Sequence, residues 1–267
     1  MPVFQLILIA LIQGITEFLP VSSSAHLILL PKLTGLQDQG IAIDVAVHLG
    51  TLFAVLLYLF KDIKILLTGL LEALGFQRRS PAFSLLSCLV IATIPVVIFG
   101  FLINLGQIDE SLRSIKIIAW TMIIFGVVLY YSDQKGTTKK TVDSWTIKAA
   151  LTMGFWQALA LIPGTSRAGA IISGARILGF SRRDSAKIAM LMSVPTILAS
   201  GILLSAEIIS SENTTLAKDF VIAAILSFVT ALLSIRFMMY FLINHSFTPY
   251  VVYRVIFGLI LLSVAYS

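Results

Sequence analysis

Long apolar runs separated by short polar breaks dominate this chain. Six runs reach the length of a bilayer crossing, roughly 41–60, 83–103, 115–132, 184–206, 218–242 and 250–266, since a helix needs about 20 apolar residues to span the hydrocarbon layer. Two further regions, about 3–36 and 146–180, are built differently. Each is an apolar segment, a proline followed by serine or threonine, and a second short apolar segment. That pattern predicts a re-entrant hairpin, in which two short helices dip into the membrane and return to their starting side around a polar tip. Backbone that leaves the helix inside lipid must line a cavity or be buried in protein, so the tips mark a binding site.

The two breaks resemble each other. Pro20-Val21-Ser22-Ser23-Ser24-Ala25-His26 and Pro163-Gly164-Thr165-Ser166-Arg167-Ala168-Gly169 lie 143 residues apart when proline is set on proline. That alignment puts Ser22 with Thr165, Ser23 with Ser166 and Ala25 with Ala168; Gln13 and Gln157 precede the breaks, and Gly35-Leu36 and Gly179-Phe180 follow them. One integral membrane domain, 1–267, therefore contains internal repeats of approximately 1–135 and 145–267. Basic residues set their relative orientation. Lys61, Lys64, Arg78 and Arg79, then Lys135, Lys139, Lys140 and Lys148, then Arg182, Arg183 and Lys187 share one side only if both hairpins are re-entrant. The loops around Asp109-Glu110 and from Glu207 to Asp219 are acidic or mixed. The positive-inside tendency makes the basic side cytoplasmic. The expected fold is an all-α polytopic membrane protein: six transmembrane helices plus two re-entrant hairpins, arranged as inverted-topology repeats whose tips meet near the midplane.

Composition narrows the class. With 58% hydrophobic and 12% charged residues, the chain is far from a soluble domain, where about 25% are charged. No lysine or arginine precedes the first apolar run, and Met1–Ala10 holds no small-residue cleavage site, so the first helix is expected to remain. The net charge of +6 is scattered at helix ends, which fits orientation in a bilayer and not nucleic-acid binding. Cys88 is the single cysteine, inside the apolar run Leu85–Ile91, so no internal disulfide can form.

The tips carry suitable chemistry for an anion. Ser22 or Ser23 caps the helix that begins before Ala25, and Thr165 or Ser166 does the same before Ala168. Two helix N-termini with free N–H groups then face one cavity, an arrangement that favours phosphate. Arg167 adds a fixed cation whose planar fork fits phosphate oxygens. Gln13 and Glu17 share a helix face, and a carboxylate in an apolar segment marks an ion or proton path. Glu17 can hold a divalent metal, with Gln13 beside it, or act as general base. His26 can exchange protons, and a serine at 22, 23 or 24 can be a nucleophile beside a base. Asp44 and His48, an i, i+4 pair ahead of Gly50-Thr51, read as helix packing or support; Trp156 reads as an interfacial ring, and His245 and Arg254 as cytoplasmic-end features.

The run Gln13-Gly14-Ile15-Thr16-Glu17-Phe18-Leu19-Pro20-Val21-Ser22-Ser23-Ser24-Ala25-His26, with Pro163-Gly164-Thr165-Ser166-Arg167, resembles the two signature regions of the bacterial undecaprenyl-diphosphate phosphatase family. The resemblance continues through Ser193-Val194-Pro195-Thr196 to Phe247-Thr248-Pro249-Tyr250-Val251-Val252-Tyr253-Arg254. It implies hydrolysis of undecaprenyl diphosphate to the monophosphate carrier of cell-wall synthesis, a divalent cation (Mg2+ or Ca2+), a link to bacitracin resistance, and often a homodimer. It also implies interlocked inverted repeats in the bacterial inner membrane, with a site open toward the periplasm. Position by position it implies Glu17, Ser22 or Ser23, His26 and Arg167 as catalytic residues. Ser24, Gly164, Thr165, Ser166 and Arg167 would bind the substrate phosphates. Where the family continues Ser-Arg-Ser-Gly-Ala-Thr, this chain has Ser166-Arg167-Ala168-Gly169-Ala170-Ile171 and lacks two hydroxyls. Each lost hydrogen bond is worth about 1 kcal/mol. The other function class open to the same anion site is a polyprenyl-phosphate transporter, because broken helices and inverted repeats are shared with carriers. Membrane lipids and a polyprenyl lipid are the expected partners in either case.

Overall fold

The computed structural model describes residues 1–75, 80–106, 109–208 and 214–266. Arg78, Arg79 and residues 209–213 of the Glu207–Asp219 loop lie outside the described residues. The helices in chain order are α1 (Val3–Thr16), α2 (Ser23–Thr34), α3 (Gly40–Tyr58), α4 (Phe60–Leu74), α5 (Pro81–Leu105), α6 (Asp109–Leu112), α7 (Ile115–Lys135), α8 (Ile147–Leu159), α9 (Arg167–Ile177), α10 (Arg182–Ile208), α11 (Thr214–Phe241) and α12 (Thr248–Tyr266). Among the described residues the β-structure amounts to one isolated bridge, Lys140 with Phe180.

Six of these helices, α3, α5, α7, α10, α11 and α12, are long and apolar enough to cross a membrane, in the six places the apolar runs predict. The chain is a multi-pass membrane protein. Local chemistry sets several helix starts: the Ser80 hydroxyl accepts from Phe83 N at 2.9 Å with Pro81 at the first helical position, and Ser114 and Thr146 cap α7 and α8 in the same way. Helix α4 has no counterpart in the predicted elements. Its charges, including Lys61, Asp62 and Lys64, make it too polar to span, but Leu66 is buried and Gly69 lies against the Ala82 carbonyl, so one face docks on α5.

Packing crosses between the two halves of the chain. Helix α1 packs on α11 and α8 on α5, while α3 lies along α11 and α7 along α12. A Cβ on Gly50 would stand 2.2 Å from the Ala224 carbonyl oxygen, so only glycine permits this approach of α3 to α11. At one end, Lys187 pairs with Asp62 at 2.7 Å, and the Lys140 backbone bonds to Gly179 and Ser181. Buried Arg176 is satisfied there by Asp133 and by the carbonyls of Asp133, Gly136, Thr137 and Phe180; Arg182 and the Phe247 amide complete the Asp133 carboxylate. At another place, Gln5 near the start of α1 donates to the Gln37 carbonyl beyond α2 at 2.6 Å, and Lys32 donates to the Arg113 carbonyl.

Candidate active site

Each break is organised by one serine. Ser22 (φ 73°) and Ser166 (φ 70°) are the non-glycine residues with left-handed backbone among the described residues. That conformation costs an L-residue roughly 1–2 kcal/mol. Each hydroxyl caps the following helix: Ser22 Oγ accepts from Ala25 N at 3.4 Å, and Ser166 Oγ from Gly169 N at 3.1 Å. The structural counterpart of Ser22 is therefore Ser166, 144 residues on, a spacing that Gln13 with Gln157 and the left-handed Gly35 with Gly179 share. The spacing of 143 that superimposes the prolines is off by one. The second break holds one more residue between proline and cap, taken up at Gly164 (φ +90°), where a Cβ would stand 2.2 Å from Thr121 Oγ1. In the corrected register Arg167 stands where the first break has Ser23, and Leu161 where it has Glu17.

A cavity of about 190 Å3 lies between the breaks. Glu17, Ser22, Ser23 and Ser24 line it from the first, and Gln157, Ala160, Leu161, Ser166 and Arg167 from the second; His48 of α3, Val96 of α5, and Thr196 and Ser200 of α10 complete the wall. The Glu17 side chain is 3% exposed and its Oε1 is paired with Arg167 Nη2. Glu17 Oε2 accepts from Ser23 Oγ at 2.7 Å and from Gln13 Nε2 at 2.9 Å. A carboxylate, an arginine, a hydroxyl and two helix N-termini, contributed by distant parts of the chain, thus meet in one place. The Gln157 amide presents its oxygen to Thr196 Oγ1 at 3.4 Å, which leaves its buried nitrogen with no acceptor among the described residues. A buried donor without a partner needs a water or ligand oxygen.

Other predicted residues are placed differently. Gln13, Gly164 and Thr165 lie behind the wall, and the Thr165 hydroxyl is buried with no partner among the described residues. His26 is turned away from the cavity: its Nδ1 contacts the Ser22 carbonyl at 2.7 Å, its Nε2 contacts the Tyr253 hydroxyl at 2.5 Å, and its ring stacks on Tyr253 and Phe257. Arg254 is not a cytoplasmic-end residue. It is buried, and its guanidinium donates to the carbonyls of Pro20, Met122, Thr121, Gly164 and Thr165 at 2.9–3.4 Å. One cation thereby ties the two breaks together through their backbones. Its signal in the sequence was a charge inside an apolar span, the feature that singled out Glu17. His48, expected in helix packing or support, borders the cavity, with Nε2 4.0 Å from Glu17 Oε2.

Both Glu17 oxygens are engaged, and among the described residues no three His, Cys, Asp or Glu side chains cluster as metal ligands. Beside the cavity, a second chamber of about 330 Å3 shares Ser24, His48 and Leu161 with it and adds Gln39, Asp44 and Arg113. An apolar groove of about 430 Å3, lined by Phe99, Ile103, Phe155, Trp156, Leu159 and Ile162 among others, runs between α5 and α8. Phe99 is one turn from Val96 of the cavity wall.

Fold and site together define an integral membrane protein with a cavity whose charged and polar groups suit a phosphate group. Residues 6–260 match the family described as bacitracin resistance protein BacA, and the chain belongs to it. Among curated relatives, undecaprenyl-diphosphatases from Jannaschia sp. (strain CCS1) and Ruegeria sp. (strain TM1040) are 54% and 55% identical over 267 residues, covering all of both chains. The undecaprenyl-diphosphatase of Campylobacter curvus is 47% identical over 98% of each chain.

Proposed function

We propose that this protein hydrolyses undecaprenyl diphosphate to undecaprenyl phosphate and inorganic phosphate. The observation that carries the reading is the pairing of Glu17 with Arg167 across the two breaks, with Ser23 held on the same carboxylate. The names of the full-length relatives support it. In this reading the diphosphate lies between the N-termini of α2 and α9, and Arg167 and Gln157 Nε2 supply donors to its oxygens. Phosphoryl transfer needs little beyond positioning and charge neutralisation, which these groups provide. Ser23 Oγ, or a water beside it, attacks the terminal phosphorus while Glu17 takes the proton. The bridging P–O bond breaks, and the lipid monophosphate departs with its electron pair; where Ser23 is the nucleophile, a water then attacks the phosphoserine, the Oγ–P bond breaks as a proton returns to Ser23 Oγ, and inorganic phosphate leaves. The polyprenyl tail leaves the cavity past Val96 into the Phe99–Phe155 groove. A divalent cation, Mg2+ or Ca2+, would neutralise charge on the diphosphate, and Glu17 is the carboxylate in the cavity lining that would hold it.

The same reading includes two re-entrant hairpins, α1–α2 and α8–α9, in halves of inverted topology. The Gln5–Gln37 contact supports a return of the first hairpin to its starting side, and the Lys140 bonds to Gly179 and Ser181 support it for the second. Basic residues gathered near Asp62, Asp133 and Lys140 make that end cytoplasmic, so the site opens toward the periplasm of a bacterial inner membrane. A homodimer would leave the cavity unchanged, since one chain supplies its lining.

The test is phosphate release from a polyprenyl diphosphate by the purified protein in detergent, with and without divalent cation, beside Glu17→Ala and Arg167→Ala. Release by the wild type and its loss in both variants is expected. A folded wild type that binds the lipid without releasing phosphate would overturn the reading in favour of transport.

A further inference from the structure

The carbonyl of the cap serine is held differently in the two breaks. In the second, the Ser166 carbonyl accepts from Ala170 N at 2.8 Å. In the corrected register His26 stands where the second break has Ala170, and the Ser22 carbonyl takes its imidazole, 2.7 Å from Nδ1. A carbonyl can only accept, so Nδ1 carries the proton and the lone pair of the neutral ring lies on Nε2. The Tyr253 hydroxyl, 2.5 Å from Nε2, therefore donates to it. The ring lies flat against Tyr253 and Phe257, with centroids 5.7 and 5.0 Å away and planes within 11° and 7°. Tyr253 is 42% exposed on a helix long and apolar enough to cross a membrane. Lipid offers a hydroxyl no partner, so His26 is what satisfies it. Next to it on α12, Arg254 donates to the Pro20 carbonyl at 3.1 Å. Consecutive residues of one span thus hold the carbonyls on either side of Val21, Pro20 directly and Ser22 through His26.

We propose that Tyr253 is a positioning residue for phosphate release, acting through His26, an inference that rests on the diphosphatase reading. By donating to Nε2 it fixes the tautomer whose Nδ1–H holds the Ser22 carbonyl. The left-handed backbone of Ser22 (φ 73°) is unfavourable for an L-residue and persists only because its surroundings hold it. Its cap bond to Ala25 N is 3.4 Å long against 3.1 Å at Ser166, so more of the hold falls on the carbonyl. Ser23 follows directly, with Oγ 2.7 Å from Glu17 Oε2. With the proton on Nε2 instead, a nitrogen lone pair would face the Ser22 carbonyl and push it away. A turn that relaxes at Ser22 carries Ser23 off the carboxylate, and misplacement of a reacting group by about 1 Å costs about 10²-fold in rate. The second break has a backbone amide in this role. The side-chain support therefore stands under the half that carries Ser23 and Glu17.

The experiment compares wild type, Tyr253→Phe, His26→Phe and the double variant in detergent, measuring phosphate release from a polyprenyl diphosphate and melting temperature, and records 15N spectra of histidine-labelled protein. Each substitution keeps the stacked ring and removes hydrogen bonds. Tyr253→Phe should lose about 10- to 10²-fold in kcat with KM changed by less than about threefold, because Arg167 and Gln157 are untouched. In the His26→Phe background the same change should alter kcat by less than about twofold, since the ring through which Tyr253 acts is gone. The His26 signals, absent from His26→Phe, should show the Nδ1–H tautomer in wild type and a mixture of tautomers in Tyr253→Phe. Wild-type kcat in folded Tyr253→Phe would overturn the proposal without any change at His26. Equal losses with and without the His26 ring would also overturn it, marking a merely structural tyrosine, as would an Nε2–H tautomer in the wild type. If the wild type itself releases no phosphate, the diphosphatase reading falls and takes this inference with it.

Discussion

The two breaks share a backbone and differ in chemistry. Both enter a short helix through a left-handed serine that caps it, at Ser22 and at Ser166. Yet the first supplies Glu17 and Ser23 where the second supplies Leu161 and Arg167, all four of which line the cavity. Repetition provides two helix N-termini aimed at one space, and divergence at two positions assigns the carboxylate and the cation to opposite walls. Neither half lines the cavity alone. Arg254 donates to backbone carbonyls of both breaks and so ties their junction together.

The largest effect on this comparison is expected from Arg167→Ala. It removes the phosphate ligand and leaves Glu17 buried without its partner, so turnover should fall by about 10²–10³-fold or more; Arg167→Lys should recover only part, because a point charge replaces a fork. Steady-state phosphate release measures both. Arg254→Met should act on stability: loss of the donor to several buried carbonyls is expected to cost about 3–5 kcal/mol, seen as a lower melting temperature in detergent. Ser22→Ala and Ser166→Ala should each cost about 1 kcal/mol through the lost cap, while glycine at either position, which accepts the left-handed backbone, should cost only a few tenths. Equal stability losses in the two halves would support the shared backbone, and unequal ones would break it. The smallest change is expected from Ala168→Ser and Ile171→Thr, which restore the hydroxyls of the related signature; each should change binding by about 1 kcal/mol or less, read as KM.

The six spans were legible because membrane thickness turns apolar length directly into structure, and the tips because polarity inside lipid demands a reason. The register was not. Proline is the most conspicuous residue of each break, but the φ angle of the cap serine defines the turn, and an extra loop residue at Gly164 displaced the match by one. His48 and Arg254 were missed for another reason. Each lies on a long helix whose sequence does not say which face meets a distant break, and only the crossed packing of α3 and α12 brings them there. Helix α4 escaped because charge excludes a span without excluding a docked amphipathic helix.

The most direct measurement is a double-mutant cycle on turnover with Glu17→Ala, Arg167→Ala and the pair together. If the two halves build one site, the double variant should be little slower than the slower single variant, because each substitution already disables the shared site. Losses that simply multiply would mean that Glu17 and Arg167 act independently, and would contradict a single active site assembled from both breaks.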